Sequence, residues 1–325
     1  YRSEFFYEPL FCSHPHSQTL PKTRTFLGKE LKAPLWISSM TGGTGAARHI
    51  NQNLARAAQE FGLGFGLGSC RSLIDEEEGS GQEYKNDFAL RPVLGDEVPF
   101  YANLGLAQLE HLLLHKEFSR IERMLKELRA DGLIIHLNPL QEWFQEGGDR
   151  YRRPPLESVD ELLELATFPV IVKEVGQGMG PRSLEALIRR PLAAIEFGAL
   201  GGTNFSLLER QRSQNASDVS VGLSEVGHTA KEMVAHVLAI MEKLNESGQQ
   251  AKCRHFIVSG GISDPLQGFA LVEKLTKNSA IPIEAVFGQA RAFLSHATGE
   301  YEELQFYCQK VMETLTMAEH FLEVK

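Results

Sequence analysis

The chain has 325 residues, 42% of them hydrophobic and 23% charged, which suits a globular protein with one large barrel or two ordinary domains. Its formal net charge of −9 argues against nucleic acid or an anionic membrane surface as the main partner, since each needs a basic footprint. No apolar run approaches the ~18 residues of a spanning helix, the opening YRSEFFYEPLF does not read as a signal peptide, and Cys12, Cys70, Cys253 and Cys308 lack the paired spacing of zinc or disulfide frameworks; a cytoplasmic protein with reduced thiols is expected.

Eight short apolar runs follow in chain order: PLWISSM (34–40), LGFGLG (63–68), PFYANLG (99–105), GLIIHLN (132–138), PVIVKEV (169–175), AAIEFGAL (193–200), HFIVSGG (255–261) and IEAVFG (283–288). Helical patterns separate them over 46–61, 107–129, 157–167, 181–190, 226–246 and 264–277, and a helical tail covers roughly 289–324. Runs without strict alternation suit parallel strands buried on both faces. Eight strand-and-helix units in this length predict a (β/α)8 TIM barrel in α/β class. A doubly wound sheet is the alternative, but TGGTG (41–45) and GQGMG (176–180) do not fit its glycine fingerprint. With no composition break, the prediction is one domain over 1–325, with 1–32 as an N-terminal extension. Surplus length falls in loops near 69–87, 139–156 and 201–225 and in both termini.

Barrel chemistry is built where strands end, and here the endings are SSMTGG, GSCR, ANLG, HLNPLQE, VKEVGQG, GGTN, SGGI and FGQA. Glycine at one strand end is ordinary turn chemistry, whereas eight polar or glycine endings on one rim predict an active site. SGGISDP (259–265) offers two glycines, a capping Ser263 or Asp264, and Pro265 in the first helical turn. FGQAR (287–291) ends the eighth run in the same manner, and the two endings together suggest a phosphate cradle. Lys173 sits inside an apolar run, where a charge is costly unless used; it either pairs with Glu174 or points into the barrel mouth. His136 and Asn138, two apart, share a face, and Pro139 ends the strand so that Gln141 and Glu142 fall on the following loop.

These segments resemble the type 2 isopentenyl diphosphate isomerases, FMN-dependent barrel enzymes. The matching stretches are FLGKELKAPLWISSMTGG (26–43), INQNLARAAQEFGLGFGLGS (50–69), ANLG (102–105), HLNPLQE (136–142), PVIVKEVGQG (169–178), GGT (201–203) and SGGI (259–262), in family order. The resemblance implies conversion of isopentenyl diphosphate to dimethylallyl diphosphate in isoprenoid biosynthesis, with reduced FMN, Mg2+ and no net redox change. NAD(P)H is the implied reductant, a prenyl diphosphate the small-molecule partner, and a tetramer or octamer the implied assembly. By position, Ser39, Met40, Thr41, Ser69, Asn103, Lys173 and Thr203 would contact FMN, and Gly260, Gly261, Gln289 and Ala290 would hold its phosphate end. Ser69 and Arg71 would meet the substrate diphosphate, while His136, Asn138 and Gln141 would line the reacting end and Glu142 would carry magnesium.

The sequence also departs from the family pattern. An N-terminal Arg-Lys pair and nearby His that grip the diphosphate are not found within it; Cys70 replaces a usual Gln, Phe205 a usual Trp, and VGHTA (226–230) a Gly-[Ile/Val]-Pro-Thr-like stretch. The competing readings are an FMN-dependent barrel oxidoreductase and a non-catalytic flavin- or phosphate-binding paralogue. Retention of Gln141 and Glu142 speaks against the second.

Overall fold

The computed structural model describes residues 2–16, 19–39, 47–74, 86–212 and 221–325. Each apolar run becomes one strand of a closed parallel barrel. The strands are β1 (Leu35–Ile37), β2 (Gly64–Gly66), β3 (Phe100–Gly105), β4 (Gly132–Leu137), β5 (Val170–Glu174), β6 (Ala194–Glu196), β7 (His255–Ser259) and β8 (Glu284–Gln289). Neighbours in sequence are neighbours in the cylinder, and β8 closes on β1 through Gly288↔Trp36. This is the (β/α)8 architecture expected.

Side chains two apart on a strand face the same way, so each strand contributes one set inward and one outward. The outward set packs against the helices in one continuous apolar shell. The inward set forms a separate cluster that includes Trp36, Tyr101, Ile134, Ile171, Ala194, Ile257 and Val286. Trp36 fills the axis because β2 offers it a glycine: a Cβ on Gly64 would lie 2.0 Å from Trp36 Cε3.

The N-terminal extension seals the far end of the barrel. Strands Arg24–Phe26 and Lys29–Leu31 form a hairpin whose turn residues Leu27 (φ 53°) and Gly28 (φ 76°) are both left-handed, the conformation that a two-residue hairpin needs. Phe26, fully buried, packs edge-on against Trp36 and against His255 at the start of β7. Lys29 Nζ donates to Asp96 O (2.8 Å), Val98 O (3.2 Å) and Asp131 Oδ2 (2.8 Å), groups that immediately precede β3 and β4. With that end covered, the cavity described below opens among the C-terminal ends of the strands.

The helices differ from expectation where the backbone terminates them. The pattern over 107–129 predicts one helix, but Leu106–Leu114 and Ser119–Leu128 are separate. Lys116 takes φ 59°, while its N–H and that of Glu117 close onto Leu113 O and Leu112 O, a Schellman stop made without glycine. The tail likewise divides into Arg291–Ala297 and Tyr301–Phe321, then ends as strand Leu322–Val324, antiparallel to Phe5–Tyr7. The long loops carry short helices, Arg71–Ile74, Pro139–Phe144, Phe205–Arg212 and Val221–Glu225.

Candidate active site

One residue layer explains why polar groups follow apolar ones at the strand ends. Two positions beyond each inward apolar residue, on the same face, stands a polar residue or glycine: Trp36 is followed by Ser38, Tyr101 by Asn103 and Ile134 by His136. In the same way Ile171 is followed by Lys173, Ala194 by Glu196, Ile257 by Ser259 and Val286 by Gly288. The barrel axis therefore changes from hydrophobic to polar within a single pleat.

Above that layer lies a cavity of about 500 Å3. Ser39, Lys173, Thr203, Gly260, Gly261, Gln289 and Ala290, all expected flavin contacts, border it. Gly260 (φ 89°) and Gly261 (φ 70°) are left-handed, and a Cβ on Gly260 would lie 2.1 Å from Ala199 N, so this turn admits only glycine without displacement of the chain. Asp264 Oδ1 caps the next helix by accepting from Leu266 N at 2.7 Å, as the sequence suggests. The Gln289 side chain is engaged within the protein: its Nε2 donates to Ile262 O (3.2 Å) and its Oε1 accepts from Tyr307 O–H (2.8 Å), so it braces the cradle. Met40 and Thr41 lie outside the described residues.

Lys173 does face the cavity, and its ammonium donates to the main-chain oxygen of Glu174 at 2.9 Å. No side-chain pair forms between Lys173 and Glu174. Glu174 points outward, where its Oε2 accepts from the N–H groups of Gly176 (2.7 Å), Gln177 (2.6 Å) and Gly178 (2.9 Å) and shapes the GQGMG loop. Burial pushes the Glu174 carboxyl above its ordinary range, and these three donors oppose that shift.

The HLNPLQE segment adjoins the cavity through the register pair His136↔Lys173. Nδ1 of His136 lies 2.7 Å from Asn103 Oδ1. Burial first, and the Lys173 charge second, push the imidazole down to about 3, so it is neutral at physiological pH. A carbonyl oxygen opposite Nδ1 places the proton there and leaves Nε2 as an acceptor. Gln141 and Glu142 lie on the helix Pro139–Phe144, not on a loop, because Pro139 suits the first helical position after Asn138. One helical turn brings Asn138 Nδ2 to Glu142 Oε1 (2.9 Å) and to Gln141 Oε1 (3.3 Å). Asn138 is itself held by Tyr151, whose hydroxyl donates to Oδ1 at 2.8 Å and accepts from the Asn138 N–H at 3.0 Å.

The second oxygen of Glu142 accepts from Asp149 N at 2.8 Å. The Asp149 carboxylate in turn receives Gln108 Nε2 (3.0 Å) and Arg71 Nη1 (3.2 Å). Arg71 is thereby brought to the same rim as Glu142. Ser69 stands at the start of that segment, its Oγ 3.4 Å from Arg71 N. Cys70 is buried beside it in the apolar shell, with its thiol pushed up to about 12 by burial.

No protein-family model matches the chain. An isopentenyl-diphosphate delta-isomerase of Rickettsia peacockii (strain Rustic) is 35% identical over 298 residues, covering 90% of this chain and 80% of that protein. An isopentenyl-diphosphate delta-isomerase of Pseudescherichia vulneris is 34% identical over 294 residues, covering 90% and 78%. The chain belongs to the isopentenyl-diphosphate delta-isomerase family. Among solved structures, a mandelate oxidase mutant with the monooxide FMN adduct matches with TM-score 0.57 and 13% identity, over 100% of this chain and 88% of that one. The recombinant flavin-binding domain of baker's yeast flavocytochrome b2 matches with TM-score 0.59 and 10% identity, over 98% and 72%. At such identities these two establish a shared barrel fold.

Four residues of this isomerase-family site escape a reading of the sequence alone: Gln108, Asp149, Tyr151 and Glu196. The first three lie in segments with no strand signal, and only folding brings Tyr151 to Asn138, Asp149 to Glu142 and Gln108 to Asp149. Glu196 was within reach, because a carboxylate in AAIEFGAL is as conspicuous as a lysine in VIVKEV.

Proposed function

We propose that this protein is a type 2 enzyme of its family, converting isopentenyl diphosphate to dimethylallyl diphosphate with reduced FMN and Mg2+. The observation that carries this reading is the juxtaposition, at one barrel end, of the glycine-walled cavity on β6–β8 with the His136–Glu142 cluster on β4. Relatives about one-third identical bear the isomerase name, and neighbours of the same fold have FMN or a flavin-binding domain in their titles.

The residues present suit a flavin mononucleotide. The left-handed Gly260–Gly261 turn lets main chain approach a phosphate where any side chain would intrude. Ser38 and Ser39 hydroxyls, buried beside the cavity, have no hydrogen-bond partner among the described residues. FMN, when bound in its reduced form, would supply acid–base chemistry for a double-bond shift with no net redox change.

The chain's own groups divide the remaining tasks. Lys173, a buried cation, would stabilise negative charge at the edge of the ring. His136, held neutral and fixed by Asn103, and Gln141, uncharged, would shape the reacting end without attracting the diphosphate away from its own site. Among the described residues no group of three or more His, Cys, Asp or Glu gathers to form a closed metal cage. A metal at Glu142 would therefore combine that carboxylate with substrate oxygens and water, the manner in which Mg2+ is usually held. Arg71 would exchange its Asp149 partner for the diphosphate.

The test is direct. The photoreduced protein, given isopentenyl diphosphate and Mg2+, should form dimethylallyl diphosphate, and the oxidised protein should not. Turnover that consumes the reduced flavin stoichiometrically would point to a barrel oxidoreductase, and substrate returned unchanged would remove the isomerase reading.

A further inference from the structure

Glu196 is fully buried, at 0% exposure, and neither of its carboxylate oxygens has a hydrogen-bond donor among the described residues. A carboxylate removed from water without donors is among the least favourable arrangements a core can hold. Its natural counter-ion does not take it up: Lys173, its register partner on β5, gives its ammonium to Glu174 O, and no ion pair joins the two side chains. On the other flank Glu196 adjoins Ile257 of β7, which is apolar. Yet Glu196 borders the cavity, and the chain that follows β6 runs through Gly198, Gly201 and Gly202, which add no side chains to that space. The donors it lacks would have to come from what fills that space.

Strand order indicates which part of a ligand this is. Lys173 is on β5, Glu196 on β6, and the Gly260–Gly261 turn follows β7, three adjacent strands of the barrel. If the phosphate lies at the β7–β8 turns and the electron-rich ring at Lys173, the piece between them passes Glu196. That piece of an FMN molecule is a chain of vicinal hydroxyls, which donate O–H groups, and a carboxylate with two vacant oxygens can accept from two neighbouring hydroxyls at once. The geometry points to Glu196 as the residue that binds the polyol chain of the flavin, and so makes the site select a hydroxylated linker over a bare one. The inference rests on the flavin reading above and goes beyond it by assigning the specificity to a residue of β6.

The experiment titrates the full-length protein and its Glu196→Met and Glu196→Gln variants with two ligands, following flavin fluorescence. One ligand is FMN; the other is an analogue in which an unsubstituted phosphopentyl chain replaces the hydroxylated one. Far-UV circular dichroism and thermal midpoints report folding independently. The unmodified protein should prefer FMN by about tenfold or more, the scale of a hydrogen bond to a charged group. Glu196→Met should lose that preference by weakening FMN binding alone, while Glu196→Gln, keeping one acceptor oxygen, should fall between. If Glu196→Met fails to fold, an undiminished preference in Glu196→Gln overturns the assignment. It is also overturned if both variants weaken the two ligands equally, because Glu196 would then be acting on the ring or on Lys173. If the unmodified protein binds neither ligand, the flavin reading fails, and that outcome differs from both.

Discussion

Lowering the pH should destabilise this protein through one histidine. His136 titrates ordinarily near 6.5, but burial and the Lys173 charge push it down to about 3 in the folded chain. A base with a depressed folded pKa binds fewer protons than it does when unfolded, so its contribution is neutral above 6.5 and falls as pH drops toward 3. Between pH 7 and pH 5 the unfolded imidazole becomes almost fully protonated while the folded one does not. Linkage with those values gives a loss of about 2 kcal/mol over the two pH units.

His136→Asn removes the titrating group and retains an amide N–H able to donate to Asn103 Oδ1. Urea unfolding of the flavin-free protein at pH 7, 6 and 5, for both chains, provides the assay. The wild-type protein should lose about 2 kcal/mol more than His136→Asn across that range, because all other titrating groups cancel in the difference. Parallel stability curves would refute the reasoning. They would mean that His136 is solvated enough to take a proton in the folded state, and the neutral imidazole assigned to the site would have to be abandoned.

Glu142→Gln should leave the fold and flavin binding intact, remove the response of turnover to added Mg2+, and lower turnover by about 100-fold or more; full magnesium-dependent activity would place the metal elsewhere. Lys173→Met should lower the midpoint potential of bound flavin by about 30 mV or more, equivalent to a tenfold change for a two-electron couple, and spectroelectrochemistry would show an unmoved potential if the lysine is only structural. Gly64→Ala should cost about 1–3 kcal/mol by overpacking, since its Cβ would lie 2.0 Å from Trp36 Cε3. An unchanged thermal midpoint would show that Trp36 repacks freely.

Every barrel strand was legible because a strand buried on both faces must be apolar at successive positions, and that condition is local. The polar layer was partly legible for a related reason. His136 and Lys173 interrupt runs in which any charged or polar side chain is costly, so they announce a use. Glu196 interrupts its run in the same way, although the glycines that follow it draw attention toward the turn. The helix boundaries were less legible, as Lys116 and Arg129 show. Both stop a helix in the left-handed conformation usually occupied by glycine, and neither residue type signals such a stop.

The rim around Asp149 is harder to read for a different reason. Asp149 acquires its position from three contacts made by residues far apart in sequence: Arg71, Gln108 and Glu142. None of those pairings leaves a periodic or compositional trace. Under the proposed function what they build is coherent, because the Arg71 guanidinium is held at the rim by a carboxylate that a diphosphate would replace. Asp149 supplies a carboxylate in the place where a phosphoryl oxygen would accept, at a partly exposed position where the pair is worth little and is readily exchanged. Its main-chain N–H meanwhile steadies Glu142. One residue thus contacts both Arg71 and Glu142, the groups proposed for the diphosphate and the metal, and fixes their spacing in the ligand-free chain.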